Sequence, residues 1–205
     1  MNGNTVITIG RQFGSGGRQV GKKLADKLGI AFYDKELIEI AAMESGMSKK
    51  LLESADEKPT NSFLYSLSIL GNGFSPMADM PINDKLFFIQ SNVIKRVAQE
   101  GSCVIVGRCA DYILRNNPNC VNVFIHACMN KKLERAVNEY KLSSDSALDE
   151  ILRMDKSRAS YYNYYSDRKW GRADNYHLCI DSGIVGVDNA VDLIISFAEM
   201  KQKVC

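Results

Sequence analysis

The chain has 205 residues, 45% of them hydrophobic, which is enough to bury a full core and suits one domain carrying an insertion. A net charge of +2 and a pI near 8.1 hide no long basic or acidic block, so the balance demands neither nucleic acid nor an anionic membrane as a partner. No apolar run approaches the roughly 20 residues that span a bilayer and no signal-peptide pattern opens the chain, so no membrane association is expected and a cytoplasmic location is.

Val6-Ile7-Thr8-Ile9 reads as a buried strand. It runs into Gly10-Arg11-Gln12-Phe13-Gly14-Ser15-Gly16-Gly17-Arg18, a glycine-rich turn that opens directly onto an amphipathic helix. Such a turn offers backbone N–H groups, and the helix adds unpaired amides and the positive end of its dipole. Residues Gly14, Ser15, Gly16, Gly17, Arg18 and Gln19 are therefore expected to bind phosphate. A complete loop of this kind reads G-x-x-x-x-G-K-[S/T], yet no lysine or hydroxyl follows Gly16 or Gly17, and Arg18 is the nearest cation.

Val20, Leu24, Ala25 and Leu28 recur at helical spacing over 18–28, with Gly29 as the expected C-terminal cap. Ile30-Ala31-Phe32-Tyr33 is the second expected strand, ending at Asp34, which completes a parallel strand–helix–strand unit with a right-handed crossover. The pattern from Lys35 to about Glu57 is helical, with Leu37, Ile38, Ile40 and Ala41 on one face, and a second short helix is expected to begin near Ser48. Gly71, Gly73, Pro76 and Pro81 then break the chain. The 58–82 stretch reads either as a cover over a cleft or as a plain helix–helix connection.

A long amphipathic helix is expected over Asn83–Gln99, followed by an apolar strand at 102–106 bounded by Gly101 and Gly107. Arg108 comes next, where a guanidinium leaving the carboxyl edge of a sheet can grip phosphate in fork geometry; the plainer alternative is a surface arginine on the next helix. Val121–Ala127 and His177–Asp181 are the remaining strands, and Asp188–Met200 the closing helix. The alternation predicts an α/β fold: a doubly wound parallel sheet of about five strands with helices on both faces, an insertion at about 35–100 and a lid at about 145–175. The site belongs at the carboxyl ends of the strands.

Asp155 and Arg158, three residues apart, share one helical face and can serve one ligand. Around them cations from Arg153 to Arg172 alternate with Tyr161, Tyr162, Tyr164, Tyr165 and Trp170. A lid over nucleotide phosphates, a stacking surface for single-stranded nucleic acid, and a solvated helix with packed tyrosines all fit this segment; the α/β context favours the lid. The six cysteines form no C-x-x-C pair and several sit in apolar runs, which reads as small core residues in a reducing compartment. His126 and His177 lie in or beside apolar strands without neighbouring ligand residues, and are read as structural; no metal site is expected of the protein itself.

The glycine turn followed by LADKLGIAFYD, the strand and turn VIVGR, the strand VFIHA and the segment DKSRASYY together resemble the cytidylate kinase-like family of the P-loop nucleoside monophosphate kinases over nearly the whole chain. The resemblance lays Gly14, Ser15 and Gly16 over the family's phosphate loop and Gly17 where cytidylate kinases carry the loop lysine, with Arg18 one residue late and Gln19 in place of a threonine. Arg108 matches the arginine of a Gly-Arg-Asp motif that contacts the monophosphate, Cys109 replacing its aspartate. Asp155 matches an aspartate that holds the acceptor, Arg158 a lid arginine that neutralises the transferring phosphate, and Asp34 the aspartate that ends the second strand. Ile40 stands where cytidylate kinases have an arginine.

The implied function is ATP-dependent phosphoryl transfer to a nucleoside monophosphate, with a cytidylate as the acceptor. Arg18, Arg108 and Arg158 are the catalytic cations, Asp34, Arg108, Asp155 and Arg158 hold the acceptor, and Mg is held mainly by the nucleotide. The alternative is a nucleotide-binding regulatory protein with an altered loop and little or no transfer. Nucleic-acid binding is a weaker third idea, handicapped by the near-neutral charge.

Overall fold

A computed structural model of the chain describes residues 4–34, 36–46, 50 and 81–204. Among the described residues it has five strands; in the three central ones buried positions follow one another without interruption, as strands covered on both faces require, and the two edge strands are partly exposed. The five are β1 (Val6–Arg11), β2 (Ala31–Tyr33), β3 (Cys103–Val106), β4 (Cys120–His126) and β5 (Leu178–Asp181), all parallel, in the order β2-β3-β1-β4-β5. The described helices are α1 (Gly17–Leu28), α2 (Glu36–Ser45), α3 (Ile82–Glu100), α4 (Ala110–Ile113), α5 (Met129–Asn138), α6 (Ser144–Ser166) and α7 (Ser182–Val204).

Because successive side chains of a strand point to opposite faces, each strand feeds two cores. Val104 and Val106 of β3 join Ile7, Ile9, Val20 and Leu24 in the layer beneath α1 and α7, while Cys103 and Ile105 join Val6, Val93, Ile94 and Val97 beneath α3. Burial drives the thiol pKa values of Cys103 and Cys120 up to about 12, so both stay neutral core side chains, and none of the five described cysteines is in a disulfide. A third cluster packs α5 on α6 through Ala136, Ala147 and Ile151, with Phe13 lying against it.

The expected strands and their parallel arrangement are all present, and Gly29 caps α1 in the left-handed conformation. Two elements differ by more than a residue at an end. β1 runs two residues further, to Arg11, because Gly10 and Arg11 pair with Phe124 and Ile125 of β4. α7 begins at Ser182 rather than near Asp188, an initial turn being joined to the long helix across a break at Gly186 (φ 79, ψ 169). α2 is described only to Ser45; the helix expected near Ser48 and most of the 58–82 stretch lie outside the described residues.

Helix α6 is continuous over 23 residues; Tyr161, Tyr162 and Tyr165 pack inward, while Tyr164 is exposed. Tyr161 and Tyr162 are each 4% exposed; Phe87 stacks on Tyr165 with centroids 4.1 Å apart. Tyr162 donates to Asp111 Oδ2 and Tyr165 to Asp84 Oδ1, each at 2.6 Å. Buried rings cannot stack on bases, so Tyr161 and Tyr162 are withdrawn from that role. His177 is structural: its Nδ1 accepts the Asn122 amide at 2.9 Å, and burial lowers its pKa.

Candidate active site

The carboxyl ends of β1, β2 and β3 meet at one cleft of about 900 Å³. Its floor is the turn from Gln12 to Gly16, in which Gly14 and Gly16 both take φ 74, a left-handed conformation that glycine adopts at no steric cost. A trans peptide is planar, so the C=O and N–H of one unit point in opposite directions, and the partners of each unit reveal how the loop is turned.

The Gln12–Phe13 unit gives its N–H to Asp155 Oδ1 at 2.6 Å, while its carbonyl accepts the Ser15 amide at 3.3 Å and the Ser15 hydroxyl at 2.8 Å. The Gly14 carbonyl accepts from an Arg135 guanidinium nitrogen at 2.6 Å. The Ser15 carbonyl accepts from the Ser182 hydroxyl, which turns the Gly16 N–H the opposite way, and the Gly17 amide donates to Ser15 Oγ at 3.3 Å. Among the described residues no acceptor meets the amides of Gly14, Gly16, Arg18 and Gln19, and all four residues line the cleft. The last two belong to the first turn of α1, where amides have no intrahelical partner and the helix dipole is positive. Ser15 itself is buried and ties the loop to itself rather than facing the cleft.

Arg11, Arg18, Arg108, Arg153 and Arg158 line the same cleft, and Asp34 is the one carboxylate among the described residues that line it. Arg108 is not the surface residue of the plainer reading. Gly107, Arg108 and Cys109 leave β3 in three successive left-handed conformations (φ 77, 53 and 55), which fold the Arg108 side chain inward until it is 3% exposed. Its guanidinium donates to the Val106 carbonyl at 3.2 Å and to Asp34 Oδ1 at 3.3 Å. Non-glycine residues in that conformation cost about 1–3 kcal/mol each, and such strain collects where a side chain is aimed for function.

Asp34 takes an arginine on each oxygen, Arg108 on Oδ1 and Arg18 Nε on Oδ2 at 2.6 Å. Burial pushes its carboxyl up, but Arg108, Arg11 and Arg18 outweigh burial and hold it below its ordinary value. Arg18 is thus committed to Asp34, with its guanidinium 5.9 Å from the Phe32 ring centre, rather than lying over the glycine turn where a loop lysine would. Gln19 lines the cleft and its side chain donates to Glu139.

Asp155 departs from its expected place. Both its oxygens are taken, by the Phe13 amide and by Lys132 Nζ at 2.6 Å, so it sits beneath the loop and is not among the residues lining the cleft. Arg158, one turn further along α6, does line the cleft and donates to the Arg11 carbonyl at 3.4 Å. Beyond Arg108 the cleft narrows to a recess bordered by Cys109, Asp111 and Tyr162. Burial drives the Asp111 carboxyl up, outweighing the hydrogen bond from Tyr162 that pulls it down.

The position of the absent lysine has a packing explanation. A Cβ at Gly17 would lie 2.5 Å from Arg11 Cβ and 3.2 Å from Ile125 Cβ. No side chain fits there without separating α1 from the sheet. Sequence reasoning also passed over Lys132, Arg135 and Ser182, which shape the loop from α5 and α7. The spacing of Lys132 and Arg135 on an amphipathic helix just after VFIHA was the available signal.

The cytidylate kinase-like family model matches residues 6–184. The chain belongs to that family. None of the curated proteins matches the chain. Among solved structures it is similar to an uncharacterized protein from Eubacterium ventriosum ATCC 27560, at 34% identity and a TM-score of 0.71, covering 95% of this chain and 98% of that one. The fold is also that of shikimate kinase from Bacteroides thetaiotaomicron (14% identity, TM-score 0.54, covering 96% and 99%). A gluconokinase from Sinorhizobium meliloti 1021 shares it too (13%, 0.55, covering 98% and 95%). The family and these folds make the chain a P-loop kinase in architecture. No helix among its described residues is long and apolar enough to cross a membrane.

Proposed function

We propose that this family member transfers a phosphoryl group from ATP to a nucleoside monophosphate, with a cytidylate as the acceptor. The observation that carries the proposal is the convergence, on one cleft, of the open amides of the glycine turn and the first turn of α1 with five arginines, three of which, Arg11, Arg18 and Arg108, act on Asp34. Phosphoryl transfer asks the protein for positioning and for charge neutralisation rather than covalent work, and this cleft is equipped for both.

In this reading the amides of Gly14, Gly16, Arg18 and Gln19 take the donor's phosphates. Arg108, fixed by Asp34 and the Val106 carbonyl, holds the acceptor's anionic end, and Arg158 neutralises charge as it develops between them. Asp34 keeps two guanidinium groups at a set separation and orientation. Its two oxygens are thereby committed, so Mg²⁺ is carried by the donor's phosphates and water, where it supplies further neutralisation of the transferring group. A smaller cavity of about 230 Å³ on the other flank of the loop, bordered by Arg135, Ser182 and Gly186, is open to the donor's nucleoside.

Coupled ADP release over a panel of nucleoside monophosphates tests the proposal. Acceptor-dependent turnover should appear, fastest with a cytidylate, and Arg158→Ala should lower it on the order of 10²–10³-fold. Turnover that no monophosphate stimulates sinks the transferase reading. A second reading, a regulator that binds nucleotide without transferring phosphate, draws on one observation: Arg18, the cation nearest the missing lysine in sequence, is paired with Asp34. Tight ATP binding without acceptor-stimulated turnover is its signature.

A further inference from the structure

We infer that Lys132 is a positioning residue for the phosphate loop, acting through Asp155 and the loop backbone in a chain that has no room for a loop lysine. The inference rests on the donor site proposed above.

Lys132 is 4% exposed, and its ammonium lies 2.6 Å from Asp155 Oδ2. A lysine is rarely buried to that extent, because desolvating the ammonium is costly unless a partner offsets it. An exposed lysine would serve α5 equally well as a helix residue, so this one is held inside for what it does there. It is not among the residues lining the cleft, and its effect on a ligand is therefore indirect.

The connection to the loop is short. Asp155 Oδ1 accepts the Phe13 amide at 2.6 Å, which fixes the first peptide of the turn and, on its opposite side, aims the Gln12 carbonyl at Ser15. The loop backbone also rests directly on α5: a Cβ at Gly14 would lie 2.8 Å from the Lys132 carbonyl oxygen and 3.0 Å from its Cα. One ion pair thus sets which way the turn presents its remaining amides. Asp155 belongs to α6, one turn ahead of Arg158, so the same pair also ties the helix that carries Arg158 to the loop that takes the donor. Lys132 holds Asp155, Asp155 holds Phe13, and the spacing between amides and guanidinium follows.

The test compares wild type, Lys132→Met and the double variant K132M/D155N, which removes the buried carboxylate left unpaired by the first change and keeps an oxygen for Phe13. Two quantities are read: hydrogen exchange of the Phe13 amide against that of Ile9 in β1, and affinity for MgATP. Lys132→Met should speed Phe13 exchange by at least about tenfold with Ile9 unchanged, and weaken MgATP by about 10²-fold, the scale of a misplaced binding group. The double variant should recover part of the Phe13 protection, and carries the comparison if Lys132→Met does not fold. Unchanged Phe13 exchange and MgATP affinity overturn the inference. So does a loss of protection equal at Phe13 and Ile9, which would make Lys132 a general stability residue. If wild type binds no MgATP, the donor-site reading falls, while the exchange comparison still decides what Lys132 does to the loop.

Discussion

Restoring the loop lysine is the obvious way to strengthen this protein as a kinase, and the structure gives it the opposite outcome. In Gly17→Lys the new Cβ meets Arg11 Cβ at 2.5 Å, about 1 Å inside the 3.5–4.0 Å at which carbon atoms rest. Arg11 Cβ is fixed to β1 and cannot swing aside, and Ile125 Cβ at 3.2 Å closes the other side. Overpacking of this kind costs about 1–3 kcal/mol, and replacing a helical glycine returns at most about 1 kcal/mol. Even with that full return the net loss is up to about 2 kcal/mol, which for a chain of this size lowers Tm by up to roughly 8 °C. Relief comes from moving α1 off the sheet, which displaces the open amides of Arg18 and Gln19, so MgATP affinity should fall despite the added charge. Thermal melts and MgATP titrations of Gly17→Ala and Gly17→Lys measure both effects. A Gly17→Lys protein that melts at the wild-type temperature and binds MgATP more tightly would refute the packing argument.

Three further outcomes follow from the same geometry. Gly14→Ala should destabilise by about 2–5 kcal/mol, from left-handed strain plus the contact with the Lys132 carbonyl, whereas Gly29→Ala, left-handed with open space around it, should cost only about 1–2 kcal/mol; urea midpoints of the two variants compare them. Asp34 has its folded pKa lowered, so its contribution to stability is present above the ordinary value of 3.8 and is lost as pH falls further, through the folded value; Asp34→Asn should destabilise at neutral pH and flatten the acid limb of the Tm profile. Asp111 has the opposite sign. Its folded pKa is raised above 3.8, so its contribution is full below that value and is lost as pH rises through the folded one. Asp111→Asn, which still accepts from Tyr162, should therefore gain stability over wild type as pH rises above 3.8, read as diverging melting temperatures.

Much of the architecture was legible without coordinates because it rests on local periodicity. Continuous apolar runs such as Cys103–Val106 announce strands covered on both faces, and Val20, Leu24 and Leu28 announce the inner face of α1. The glycine turn, Asp34 and Arg108 could be assigned to the carboxyl edge because parallel α/β units put their strand ends there. Their joint presence around one cleft follows from that rule.

Hydrogen-bond partners distant in sequence were decided only by the fold. Asp155 and Arg158 share a helical face, as their spacing requires, yet one is spent beneath the loop on Lys132 and Phe13 while the other reaches the cleft. Arg18 lies next to the glycine turn in sequence and is drawn to Asp34 instead, because β2 ends beside α1. Gly17 looks like a lost lysine in the sequence; it is a contact point between α1 and Arg11 in the fold. Periodicity records which face of an element is apolar, but which charged groups meet is set by distances between elements, and those exist only once the sheet has ordered its strands.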